Sequence, residues 1–159
     1  MKRLVAFLLV CGLAGCGEKI AEKAVEKAIE KEIGGEATVN IGEESLTVKG
    51  EDGTMTLTSG KAARVPENFP ADVHVYDGAT VLNALASNEG FHLTLQSQDS
   101  PEKIVAAYKE KMTGQNWTQE MSMDMGVQKM LSFKKDSRSA SVIVAADGEK
   151  TRVTIGVQM

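Results

Sequence analysis

Along the last half of the chain, apolar and polar residues alternate in short runs. Val153, Ile155 and Val157 interleave with Thr154, Gly156 and Gln158, a period of two that marks a strand with one buried face. The same pattern predicts strands near Trp117–Met123, Gln128–Phe133, Ala140–Ala146 and Arg152–Gln158, with Asp147-Gly148 as the hairpin turn between the last two. Two more, Thr80–Ala86 and Gly90–Gln96, flank Asn88-Glu89-Gly90. Between them the period changes. Ile104, Val105, Tyr108 and Met112 fall on one face of a helix over 101–113, with Ser100 as N-cap, Pro101 at the first helical position and Gly114 as the stop. The order is ββαββββ. It predicts an α+β domain, an antiparallel sheet covered by one helix, with Trp117 sealing the edge where helix passes into strand.

Upstream the pattern is weaker. Residues 18–33, EKIAEKAVEKAIEKEI, repeat Glu-Lys-apolar-apolar and predict a helix that Gly34-Gly35 ends. A period of four drifts against 3.6, so the stripe of Ile20, Val25, Ile29 and Ile33 winds round the helix. This favours a solvated spacer over an interfacial or self-associating helix. Val39/Ile41, Leu46/Val48 and Met55/Leu57 predict three short strands of a small β-meander, separated by Gly42-Glu43-Glu44 and Gly50-Glu51-Asp52-Gly53. Two apolar residues per strand are too few for it to stand alone. The stretch VPENFPADVHVYDGATV holds two of the three prolines and reads as an irregular linker docked by Val65, Phe69, Val73 and Val75. The chain thus divides into 1–15, 16–35 (helical spacer), 36–64 (meander) and 65–159 (α+β domain with its linker).

Composition narrows the classes. One Trp, two Tyr and four Phe leave the core to aliphatic residues and methionine. A net charge of −4, with no dense Lys/Arg run, argues against a nucleic-acid partner. Both cysteines, Cys11 and Cys16, lie at the N-terminus. Lys2 and Arg3 precede an apolar run from Leu4 to Gly12, too short to span a bilayer, and Leu13-Ala14-Gly15-Cys16 follows. This order resembles the lipobox of bacterial lipoproteins. The resemblance implies cleavage before Cys16, acylation of Cys16 as the new N-terminus, and loss of residues 1–15 with Cys11. It implies an envelope location, anchored to the membrane through Cys16. Gly17 in place of Asp favours the outer membrane, facing the periplasm. Several acyl chains make a firm anchor, at about 0.8 kcal/mol per buried CH₂.

A second resemblance covers residues 65–159. VPENFPADVHVYDGATV followed by DSPEKIVAAYKEKMTGQNW is similar to a module of uncharacterised bacterial envelope proteins, with His74 where that pattern often has Pro. It implies an α+β fold and brings no activity. No nucleophile elbow, zinc-binding helix or glycine-rich phosphate loop occurs, so an enzyme and a bound cofactor are not expected. His74 and His92 read as surface or structurally satisfied histidines. Glu43, Glu44, Glu51 and Asp52 lack the spacing of a calcium loop and read as solvated turns. The remaining constellation is MSMDM. Met121, Met123 and Met125 share a face of a strand, and Met130 can join them across a Met125-Gly126 turn. Thioethers select Cu(I), but a row spaced by about 7 Å suits one ion poorly. These methionines are expected to fill the core or a partner-binding surface. The expected function is a lipid-anchored, non-enzymatic envelope protein that binds a protein partner or supports envelope integrity. The alternative is a periplasmic Cu(I)-binding protein using Met121, Met123, Met125 and Met130.

Overall fold

The structure is a computed structural model of the chain. It describes residues 18–33, 36–40, 44–50 and 53–159. The lipobox with Cys11 and Cys16, the Gly34-Gly35 stop, and residues 41–43 and 51–52 of the meander turns lie outside the described residues.

Alternating and helical periods fold as their patterns predict. Helix α1 spans Glu18–Ile33, followed by strands β1 (Glu36–Asn40), β2 (Ser45–Gly50) and β3 (Gly53–Ser59). A 3₁₀ turn at Gly60–Ala62 leads into an irregular segment, residues 63–79. Strands β4 (Thr80–Ser87) and β5 (Gly90–Ser97) precede helix α2 (Pro101–Gly114). Strands β6 (Thr118–Asp124), β7 (Gln128–Lys135), β8 (Arg138–Asp147) and β9 (Lys150–Gln158) complete the chain.

The sheet departs from the expected one. Among the described residues all nine strands form a single sheet in the order β1-β2-β3-β4-β5-β9-β8-β7-β6, and every neighbouring pair is antiparallel. The meander is not a separate unit packed on the domain. β3 pairs with β4 in the register Thr56↔Ala86 to Ser59↔Asn83, so the backbone ladder continues across the boundary at residue 64. Satisfying the free edge of β4 stabilises the meander more directly than its few apolar side chains could. The spacer reading also changes. α1 packs against β1, and the Glu30 carboxylate accepts a hydrogen bond of 3.3 Å from the Ala37 backbone N–H.

Register shows which residues share a face. In the half nearest β6, Leu93 and Leu95 of β5, Val153 and Ile155 of β9, Val142 and Val144 of β8, and Leu131 and Phe133 of β7 are all essentially inaccessible and face α2. Helix α2 answers with Ile104, Tyr108 and Met112. Each such side chain contributes roughly 1.5–3 kcal/mol on burial. In the meander half the polarity inverts. Thr47, Thr56 and Thr58 line the α2 side, while Leu46, Val48, Met55, Leu57 and Leu85 line the opposite face. Ala37 and Val48 are buried on that opposite face, yet Met55 and Leu57 are exposed.

Segment 63–79 is a second cover over the sheet beside α2. Phe69, Val73 and Tyr76 pack into the core, and Phe69 meets Phe91 edge-on at 5.4 Å between centroids. Three i→i+3 turns shape it, with N–H donors at Phe69, Val73 and Ala79 and carbonyl acceptors at Pro66, Pro70 and Tyr76. The β4–β5 hairpin needs glycine at position 90. Its φ is +150°, and a Cβ there would lie 1.9 Å from the Val157 carbonyl oxygen.

Trp117 is 2 % exposed. Asn116, at φ 63°, ends α2 and lets the Trp117 N–H donate to the Met112 carbonyl at 3.0 Å. Trp117→Ala is expected to cost about 3–5 kcal/mol, a large share of a small domain's stability. A urea titration read by circular dichroism checks this, and an unchanged midpoint would contradict the packing described.

Candidate functional site

Segment 63–79 organises the polar features. At its centre, the Asp72 carboxylate receives a two-pronged bond from the Arg138 guanidinium, at 2.9 and 2.7 Å, and a third bond from the Lys135 ammonium at 2.7 Å. The Asp72 carbonyl accepts from the Trp117 indole N–H at 2.8 Å, and the Arg138 guanidinium sits 5.1 Å over the indole ring. Lys135 also donates to the Gln115 carbonyl at 2.8 Å. These contacts join the segment to the end of α2 and to the β7–β8 turn. Arg138 above all, then Lys135, hold the Asp72 carboxyl well below the usual carboxylate range, against the opposing effect of burial. The cluster is a clamp: every charge in it is already paired within the chain.

A second network closes the far end of the segment. The Tyr76 hydroxyl donates to Asp99 at 2.7 Å, Lys103 donates to the other Asp99 oxygen at 2.7 Å, and the Thr151 hydroxyl donates to the Asp99 carbonyl at 2.7 Å. Lys103, then Tyr76, lower the Asp99 pKa. His74 is half-buried beside Tyr108, with ring centroids 5.2 Å apart. Burial lowers its pKa, Asp77 opposes that shift, and Lys111 adds to it. The Tyr108 hydroxyl is buried and its pKa is pushed well above the usual range by desolvation. These rings support the segment from below. They present no nucleophile with an adjacent base. His92 lies on the exposed face of β5.

Two openings flank the segment. A cleft of about 330 Å³ lies between it and the end of α2, walled by Phe69, Pro70, Val73 and His74 and by Lys111 and Gln115. A groove of about 380 Å³ lies on its other side. The groove's floor is the inverted, polar stretch of sheet: Thr54, Thr56 and Thr58 with Ala84 and Ala86. Its wall is Arg64, Pro66, Glu67 and Asn68, and Ser87 and Asn88 close one end. The Thr47 and Thr56 hydroxyls lie 3.5 Å apart, carrying the threonine surface on towards β2. The sequence offered one cue to this groove, the Thr-x-Thr-x-Thr run at 54–58. Its alternation with Met55 and Leu57 reads equally well with the threonines outward and dispensable.

The methionines of the MSMDM stretch do not fill the core. Met121, Met123 and Met125 are 38, 45 and 50 % exposed. The reason is positional: β6 is the last strand of the sheet, and all of its residues are exposed. A register shift between Gln119 and Met121 places Met121 opposite Ser132 and Met123 opposite Met130. These four positions share the face away from α2. Met125 falls past the strand end, in the turn, where its N–H donates to the Gln128 carbonyl at 2.9 Å. Among the described residues no group of three His, Cys, Asp or Glu is placed to hold a metal, and no helix is long and apolar enough to cross a membrane.

Fold and site together define an α+β protein with a broad antiparallel sheet, one face of it partly covered. Residues 80–151 are similar to a family described as START domain-like, a match that runs from β4 to the first residues of β9 and covers less than half of the chain. No curated protein and no solved structure matches the chain.

The Asp72 clamp carries a pH signature. A depressed carboxylate stabilises the fold fully above its unfolded pKa of about 3.9, and the contribution fades as pH falls below that value. Asp72→Asn should lower stability by roughly 2 kcal/mol near neutral pH, because hydrogen bonds between charged groups are lost. The denaturant midpoints of wild type and Asp72→Asn should converge as pH is lowered from about 5 to about 2. A constant difference across that range would show that the ion pairs are not its source.

Proposed function

We propose that this chain is a lipid-anchored, non-enzymatic envelope protein. It is tethered through Cys16 to the outer membrane on the periplasmic side, and it holds an extended polar segment of an envelope protein in the threonine groove. The observation that carries the reading is the groove itself: an open, threonine-rich floor on the face that, beneath α2 from β5 to β7, is apolar and covered. Alternate residues of an extended strand repeat every 6.6–6.8 Å or so, and the hydroxyls of Thr54, Thr56 and Thr58 repeat at the same interval. An extended peptide laid along β3 therefore meets a hydroxyl at each inward position. Arg64 and Asn68 supply donors and Glu67 an acceptor along the wall. The order of basic residues, apolar run and Leu-Ala-Gly-Cys supports the anchor. The START domain-like match covers β4 but neither β3 nor the wall, so it assigns the groove no ligand.

Two measurements test this. Intact mass of the membrane-extracted protein should show a chain beginning at an acylated Cys16, and Cys16→Ser should leave the precursor uncleaved. A chain still beginning at Met1 would sink the anchor. A photo-crosslinking side chain at Thr56 should give a discrete adduct in intact envelopes, whereas one at His92, on the opposite face, should not. Equal labelling from both positions, or none from Thr56, would sink the groove reading.

A further inference from the structure

We propose that Met121, Met123 and Met130 form a binding site for a soft monovalent cation, Cu(I) or its isoelectronic-shell analogue Ag(I), on the face of the sheet away from α2. The site does not rest on the groove reading. It lies at the other edge of the sheet and on its other face.

Register replaces a row with a triangle. Along one strand, three methionines at alternate positions stand in a line that a single ion cannot gather. The β6–β7 pairing changes the set. Met130 is the direct cross-strand partner of Met123, and Met121 lies two residues from Met123 on the same face. Directly opposed Cβ atoms are about 5 Å apart, and positions two residues apart along a strand are about 7 Å apart. Such a triangle has a centre within about 4 Å of every Cβ. A methionine sulfur sits two bonds beyond its Cβ on an unbranched, freely turning stem, so all three can meet there. Met125 drops out, because it belongs to the turn.

The surroundings favour a soft ion. Met130 is partly buried and paired on its other side with Ile143 of β8, so the site has an apolar flank. Ser132, opposite Met121, is neutral. Of the two acids of the hairpin, Asp124 faces the other side of the sheet and is engaged by Lys129, and Glu120, next to Met121, lines an opening with Thr118 and Lys134. Zn²⁺ and Cu²⁺ prefer imidazole and carboxylate, and no cluster of such groups is present among the described residues. Three neutral thioethers suit a monovalent ion with a filled d shell. Exposure of Met121 and Met123 leaves it an open path.

The test uses the full chain in detergent with Cys11→Ser and Cys16→Ser, so that no thiol competes. Under ascorbate, the protein should withdraw stoichiometric Cu(I) from a colorimetric chelator such as bicinchoninate. Met125→Leu should leave this unchanged. Met121→Leu/Met123→Leu/Met130→Leu should abolish it while the circular dichroism spectrum and denaturant midpoint are retained. No withdrawal by the parent chain, or equal withdrawal by the triple variant, overturns the site. Should the triple variant not fold, the folded parent decides: Ag(I) should shift the ¹³C-methyl signals of Met121, Met123 and Met130 together and leave Met125 and Met159 in place. Uniform shifts, or none, overturn the site.

Discussion

The reach of one helix governs this structure. Helix α2 has 14 residues and is therefore about 21 Å long. Nine strands at about 4.8 Å span roughly 38 Å from first to last. Even laid straight across the strands, α2 can cover only four or five of them. What the helix covers is apolar and inaccessible on that side, from Leu131 to Leu95. What it cannot reach must be covered by something else, be polar, or stay exposed. The molecule uses all three solutions.

Segment 63–79 is the second cover, and it has no regular structure to hold it in place. Its attachment is made by side chains and by isolated turns. Phe69, Val73 and Tyr76 supply apolar contact, but an irregular strap also needs fixed points, since each ordered residue costs about 1–2 kcal/mol of backbone entropy. Asp72 and Asp99 provide them, near the middle of the segment and beyond its end. The Asp72 clamp uses a planar guanidinium whose fork matches a carboxylate, so direction as well as charge is specified. The same guanidinium lies over Trp117, whose indole N–H returns to the Asp72 carbonyl. Position and burial of the indole are thus coupled to the strap. Beyond the strap, the sheet face turns to threonine, which tolerates water and favours the strand.

Legibility in the sequence followed the same division. Beneath α2, period and burial coincide, so β5, β7, β8 and β9 and the helix itself were readable to within a few residues from Ile104, Tyr108, Val153 and Ile155. The docking residues of the strap were readable for the same reason. The union of the meander with the larger sheet was not, because pairing of β3 with β4 is made by backbone groups that carry no residue code. The inversion of faces was hidden as well. Thr54 to Thr58 alternate cleanly, but alternation does not say which set faces the helix when the helix does not extend that far. For Met121 and Met123 the shared face and the spacing were legible, whereas Met125 falls in the turn; their exposure was not legible, because it depends on β6 being last in the sheet. The register shift at Glu120 and the opposition of Met123 to Met130 are likewise properties of pairing, not of spacing.

Groove and methionine triangle are consequences of one shortage placed at opposite ends. At the β3 end, the uncovered α2-side surface became polar and was walled by the strap, leaving a channel with hydroxyls at strand spacing. At the β6 end, the edge strand kept apolar, flexible side chains on the outer face, where α2 could never have covered them. An exposed apolar edge is a liability for self-association, which proteins ordinarily blunt with charge or a bulge. β6 carries both, in Glu120 and Asp124 and in the register shift between Gln119 and Met121. Yet it retains two methionines, Met121 and Met123, within the same short stretch and sets a third, Met130, across from Met123. A strand already protected against pairing has no structural need of exposed thioethers. Leucine or threonine would serve the pleat as well. Their clustering on one face therefore asks for a chemical reason, and coordination by sulfur is the property that separates methionine from those substitutes.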